Sequence, residues 1–175
     1  MTGGALRASV LAGDTIAGAM VLQPSLLVAD EPVSSLDASV RGEILQLLLG
    51  LSRDRGMTIL VVTHDLGLAW NIADRVAVMY LGRIVEVGTT EQILAAPQHP
   101  YTKALLSVVP EHDRMEQQIL TGEAPDPTQI PAGCRFHPRC PLYQSGEAER
   151  MGILHACTSD DPKLVEGVAC HAARR

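Results

Sequence analysis

The chain has 175 residues, 46% of them hydrophobic but only 3% aromatic, with a formal net charge of −6. That length and apolar share suit one domain or a domain with an appendage, and exclude a chain disordered throughout. The acidic balance, with no Lys/Arg-dense run, argues against nucleic acid as a partner, because such binding neutralises phosphates with clustered cations. In chain order, residues 1–24 are rich in small residues and weakly patterned. The stretch MTGGALRASVLAGDTIAGAMVL lacks the early basic cluster of a signal peptide, and Asp14 interrupts its apolar run. No apolar run reaches the roughly 20 residues of a membrane span. These features lead us to expect a cytoplasmic chain.

Residues 25–96 alternate strand and helix signals. SLLVAD is a short apolar run ending in an acid, the pattern of a buried strand in a parallel sheet. Ala38 to Arg53 then carries Val40, Ile44, Leu47, Leu48 and Leu51 on one helical stripe, with Asp37 placed to cap it and Gly56 to close it. Thr58 to Thr63 is a β-branched strand, and a helix follows from about Leu66 to Ala73. RVAVMYLGRIVEVG reads as two strands around a turn at Leu81-Gly82-Arg83, and TTEQILAA as a capped helix. Strand, helix and strand at this spacing predict an α/β fold with a parallel sheet, flanking helices and right-handed crossovers. Residues 97–175 hold most of the prolines and all four cysteines, with little periodicity, and predict a small loop-rich extension.

Ligands of parallel α/β sheets bind beyond the carboxyl ends of the strands. Asp30, Glu31 and His64 fall at such ends. Two adjacent acids at the edge of a core are costly unless a cation sits there. An acid after a buried strand is a good Mg²⁺ anchor, because Mg²⁺ takes one or two carboxylates through retained water together with substrate phosphates. The second acid can then orient or deprotonate an attacking water. Any one of these residues alone fits a solvated turn or rim. The three together, with SSLD between them, define a candidate site.

Those residues carry a family resemblance. LLVADEP resembles the Walker B segment of ABC-type ATPases, SSLD at 34–37 their D-loop and VVTHD at 61–65 their switch histidine, and ADRVAVMYLGRIVEVGT continues the match. The resemblance implies that Asp30 holds Mg²⁺ through water, that Glu31 is the general base and that His64 senses the γ-phosphate of ATP. It also implies that Ser34 and Asp37 contact a second ATPase subunit across a dimer interface. The family's other half is missing from this sequence. No G-x-x-x-x-G-K-[ST] phosphate loop occurs, and neither the glutamine loop nor an L-S-G-G-Q signature is present. Where the signature belongs, the chain reads LRASVLAGDTIAGAMVLQP, of which only IAGAMVLQP fits. A gene truncated with a frame change upstream, or a diverged half-fold, produces such a pattern. Weak or absent ATP binding by the chain alone is expected, as are exposed sheet edges that favour self-association.

PQHPYTKALLSVVP (97–110), GCRFHPRCP (133–141) and GVACH (167–171) are similar to the C-terminal extension of the oligopeptide/dipeptide branch of ABC importers, with Pro97, His99, Pro100, Tyr101 and Thr102 matching its motif directly. The resemblance implies an energy-coupling subunit, peripheral on the cytoplasmic face of the membrane. Its partners would be a second ATPase subunit, permease subunits and, indirectly, a peptide-binding protein. Cys134, Cys140, Cys157 and Cys170 are separated by 5, 16 and 12 residues. Clustered cysteines in a cytoplasmic chain suggest a metal site, and four thiolates suit an iron–sulfur cluster or Zn²⁺. Structural zinc sites favour closer pairs, and some members of this branch carry a [4Fe–4S] cluster on such cysteines, so the cluster is the first expectation. Zinc is the second, with free thiols or an oxidised pair as the remaining readings. His137, His155 and His171 are candidate substitute ligands, with a surface position the first expectation for each. A non-catalytic metal-binding interaction protein derived from such a subunit is the alternative function.

Overall fold

A computed structural model describes residues 14–34, 36–109, 118, 120–122 and 125–173. The start of the N-terminal segment, including LRASVLAG, lies outside the described residues. The chain divides into two compact units, Met1–Ile72 and Ala73–Arg175.

In the first unit, α1 (Asp14–Met20) is followed by β1 (Leu26–Asp30), α2 (Ala38–Arg55), β2 (Thr58–Val62) and α3 (Leu66–Ile72). β1 and β2 pair in parallel, in a register that sets Leu26 beside Thr58 and Asp30 beside Val62. The core joins Ile16 and Ala19 of α1 to Leu27, Leu48 and Met57, with Ile44, Leu51 and Ile59 packed against it. The expected burial of SLLVAD holds for one face only. Leu27 and Ala29 are buried and Leu26 and Val28 only partly so, while on β2 Leu60 and Val62 are 53% and 49% exposed. Among the described residues this sheet has two strands.

The stripe on α2 also differs from expectation. Leu48 is buried and Ile44 and Leu51 are partly so, but Val40 and Leu47 are exposed. At 100° per residue Leu48 lies at the leading edge of the stripe and Val40 and Leu47 at its trailing edge. The narrow core formed by α1 and β1 therefore takes one side of the stripe and leaves the other in solvent. Gly56 closes α2 in the left-handed conformation, φ 61°, as its position predicts. Asp37 occupies the N-cap position, yet its side chain makes no cap hydrogen bond. Its backbone carbonyl accepts from Arg41 at 2.9 Å instead.

The second unit opens with the hairpin β3 (Arg75–Tyr80) and β4 (Arg83–Thr89), with Tyr80 opposite Arg83. Leu81 and Gly82, at φ 45° and 75°, form the two-residue turn that matches strand twist. Thr89 and Gln92 make the predicted capping box at α4 (Thr90–Ala95). His99 then caps α5 (Pro100–Ser107), with Pro100 in the first turn, where a missing N–H costs nothing.

Short helical turns joined by loops complete the extension: a 3₁₀ turn at His137–Arg139, α6 (Pro141–Gln144), α7 (Glu147–Arg150) and α8 (Leu154–Ser159). Elements of four to six residues are too short to show periodicity. The core here joins Val78, Tyr80, Val85, Ile93 and Phe136, the chain's one phenylalanine. Val168 bridges Glu86, and Ala169 N–H donates to Val85 O at 2.8 Å, so the tail is stitched onto β4. Gly167, at φ 86°, allows this approach, because a Cβ there would lie 2.4 Å from Val87 O.

Candidate functional site

The acids and the histidine meet within the first unit. Parallel pairing of β1 with β2 brings their carboxyl ends side by side, and Asp30 is exposed at the end of β1. Glu31 turns sharply out of the strand with φ 47°, a conformation that L-residues other than Gly seldom adopt. Its backbone N–H donates to Val62 O at 2.8 Å, which extends the ladder by one bond. Its Oε1 lies 2.7 Å from His64 Nδ1 and accepts the His64 backbone N–H at 3.1 Å, while Thr63 Oγ1 approaches Oε2 at 3.5 Å. The hydrogen bond from His64 is the main cause that holds the Glu31 carboxyl below its usual range.

The segments on either side are braced locally. Ser34 Oγ donates to Glu31 O at 3.1 Å and closes the turn after the acids. Asp65 Oδ1 accepts Leu68 N–H at 3.1 Å and starts α3 just beyond His64. Asp30, Glu31, Ser34 and His64 therefore share one edge. Asp37 is exposed at the head of α2. A carboxylate pinned to a neighbouring imidazole, beside a second exposed carboxylate, can hold a hydrated cation and take a proton from water.

The cysteines meet in the second unit. Cys134, Cys140, Cys157 and Cys170 line one small pocket, partly open to solvent, together with His99, Phe136, His137 and His171. The backbone imposes this convergence. Cys134 N–H donates to Cys157 O at 3.0 Å, Cys140 N–H to His137 O at 3.1 Å, and the bond from Ala169 to Val85 sets Cys170. Gly133, at φ 68°, makes the Cys134–Cys157 approach possible, since a Cβ there would stand 2.6 Å from Cys157 O.

Burial, reinforced by the nearness of the other thiols, pushes Cys134 up to about 12 and Cys157 up to about 11, and burial raises Cys140 as well. Such thiols stay protonated until a cation displaces their protons. Among the described residues, no three His, Cys, Asp or Glu side chains form a group able to hold a metal ion as they stand.

Two of the histidines, His137 and His171, are partly exposed and also line this pocket. His137 Nδ1–H donates to Cys134 O at 2.8 Å, and His171 Nε2–H donates to Asp160 O at 3.0 Å. His155 is exposed, beside Ser159 Oγ at 3.2 Å, as expected. His99, read in sequence only as part of a motif, is 1% exposed, and burial pulls its imidazole down to about 4. Glu86, also unforeseen, is 2% exposed and accepts the backbone N–H groups of Gln98 at 2.7 Å and His99 at 3.0 Å. Its only sequence signal is an acid in a strand that otherwise reads as apolar.

The first unit thus sets paired acids after a parallel strand beside a histidine after the next strand, and the second unit carries the cysteine-bearing extension. Residues 85–146 match the family model of the oligopeptide/dipeptide transporter C-terminal region. The dipeptide transport ATP-binding protein DppF of Haemophilus influenzae is 48% identical over 153 residues, covering 86% of this chain and 46% of that protein. The oligopeptide transport ATP-binding protein OppF of Salmonella typhimurium is 46% identical over 159 residues, 84% of this chain and 48% of its own. A peptide import ATP-binding protein of Brucella ovis is 45% identical over 154 residues, with 86% and 45% covered. The chain belongs to the ATP-binding proteins of the oligopeptide/dipeptide branch of ABC transporters. It spans about half the length of these relatives.

Proposed function

We propose that the chain carries the magnesium- and water-activating half of the ATP site of a peptide-importer energy-coupling subunit, together with that subunit's cysteine-bearing extension. The contact between Glu31 and His64 at the ends of β1 and β2 carries this reading. Asp30 would hold Mg²⁺, which would supply charge neutralisation for the phosphates, and Glu31 would take the proton of an attacking water. His64 reads the γ-phosphate, and Ser34 and Asp37 face a second ATPase subunit. With Nδ1 turned to Glu31, His64 has Nε2 free to face a phosphate, and its side chain is 83% exposed.

Residues 25–96 serve as the partial ATPase core and 97–175 as the extension, with 1–24 an atypical lead-in. No phosphate loop lies within the 175 residues, so ATP binding by the chain alone is weak. The working assembly pairs it with a second ATPase subunit and permease subunits on the cytoplasmic face of the membrane, with a peptide-binding protein upstream.

In the extension, Cys134, Cys140, Cys157 and Cys170 are proposed to hold a [4Fe–4S] cluster, which supplies a one-electron centre or a structural clasp when bound. The four thiols lining one pocket support this reading.

The test is ATP hydrolysis by a purified complex that contains this chain. Replacement of Glu31 by Gln removes the base and lowers turnover by about 10²–10⁴-fold. Turnover unchanged in E31Q would contradict the assignment and favour a non-catalytic role.

A further inference from the structure

Within the first unit, β2 is incomplete on two sides. The first is a face. Leu27 and Ile59 pack into the core with Leu48 of α2 and Ile16 of α1. Side chains alternate along a strand, so Leu26, Val28, Leu60 and Val62 share the opposite face. Leu60 is 53% and Val62 49% exposed there, whereas parallel sheets are stable with both faces covered.

The second side is an edge. Thr58 N–H donates to Ser25 O at 3.0 Å and Val62 O accepts Glu31 N–H at 2.8 Å, so alternate residues of β2 bond toward β1. Ile59 and Val61 between them direct their backbone N–H and C=O groups away from it. Among the described residues no strand pairs with that edge. From Thr58 to Val61, each β2 residue is more exposed than its registered partner on β1. The strand short of a neighbour is therefore β2.

We propose that this edge and face dock a phosphate-loop unit of a second polypeptide, made of a strand, a G-x-x-x-x-G-K-[ST] loop and a helix. The inference rests on the half-site reading above and names the partner of that site. The unit's strand pairs in parallel with the free backbone groups of Ile59 and Val61. Its loop then lies at the carboxyl ends of the strands, beside Asp30, Glu31 and His64, where parallel sheets bind ligands. The right-handed crossover from β1 to β2 carries α2 on one face. A unit whose chain crosses the sheet in the other direction lays its helix on the other face, over Leu60 and Val62. The loop's amides and lysine supply phosphate contacts that the 175 residues lack. Length agrees, because the chain matches less than half of each relative compared above.

The experiment co-expresses the tagged 175-residue chain with part of an oligopeptide/dipeptide ATP-binding protein. That part precedes the region this chain matches and carries the phosphate loop. The chain is used as wild type, as Leu60→Lys with Val62→Lys, and as Val40→Lys with Leu47→Lys, the exposed apolar pair on α2. Co-purification reads docking, MgATP titration reads site completion, and circular-dichroism melting checks the fold.

The expected result is an equimolar complex that binds MgATP saturably, lost in the β2 pair and kept in the α2 pair. No complex with the wild type, or equal behaviour of the two variant pairs, overturns the proposal. A wild-type self-dimer that the β2 pair dissociates assigns the face to a second copy and overturns it too. If the β2 pair does not fold, hydrogen exchange of the wild type replaces it. Slower exchange of the Ile59 and Val61 amides with the partner present then supports docking, and unchanged exchange overturns it. A complex that forms but hydrolyses ATP equally well as E31Q overturns the half-site reading, while the docking surface stands.

Discussion

Glu31 and His64 are joined twice: Oε1 of Glu31 lies 2.7 Å from His64 Nδ1 and accepts the His64 backbone N–H at 3.1 Å. The residues are separated by the whole of α2 and β2 in sequence, and the parallel pairing of β1 with β2 closes that gap. The histidine is the main cause of the lowered Glu31 carboxyl. Replacing His64 by Ala therefore lets that carboxyl rise toward its ordinary range, as read by a carbon-detected NMR titration of Glu31.

The sign for stability follows. A carboxyl depressed on folding stabilises the fold above its unfolded value, and the contribution fades as pH falls through the folded one. The side-chain contribution of this contact, compared between wild type and H64A, is present at neutral pH and is lost in acid. A Glu31 titration unchanged by H64A would contradict the assignment.

The backbone at Glu31 gives an independent test. At φ 47° a side chain is strained, whereas glycine is not. Both E31G and E31A lose the carboxylate, so comparing them isolates the strain. E31G should melt higher than E31A by about 4–8 °C for each kcal/mol of left-handed penalty, which is about 1–2 kcal/mol for a side-chain-bearing residue. Equal melting temperatures would mean that the turn relaxes and the left-handed conformation is not imposed.

Convergence of the cysteines depends on Gly133. Its φ of 68° and the 2.6 Å separation between a Cβ at this position and Cys157 O leave no room for a side chain. G133A should destabilise the second unit by at least about 2 kcal/mol, from the left-handed penalty plus displacement of α8. The same change should open the cavity, so the four thiols react faster with a disulfide reagent under native conditions. Unaltered melting and reactivity would show that α8 yields at little cost.

Local chemistry was legible in the sequence where it acts within a few residues. Gly56 at the end of α2, Leu81-Gly82 in the hairpin and the Thr89–Gln92 capping box stand where their residue types direct. The acid edge was legible as well, because strand ends are marked by the switch from apolar runs to Asp30 and His64.

What escaped depends on packing between distant segments. Periodicity placed Val40 and Leu47 on the stripe of α2, but the width of the core opposite decides which side of a stripe is covered. Asp37 was placed correctly at the head of α2, but the cap bond depends on a rotamer that position does not determine. The buried Glu86, the cavity-lining His99, and His137 and His171 beside the cysteines arise from Val168 pairing with Glu86 and from loops folding back on α5. No local pattern announces such contacts.

The central claim is that this chain holds one half of an ATP site, with Asp30, Glu31 and His64 in place and no phosphate loop within its 175 residues. Isothermal titration of the purified chain with MgATP tests it most directly. The account predicts no saturable binding tighter than about 1 mM, because neither an amide cradle nor the loop lysine is present to hold the phosphates. Stoichiometric binding in the micromolar range would contradict it.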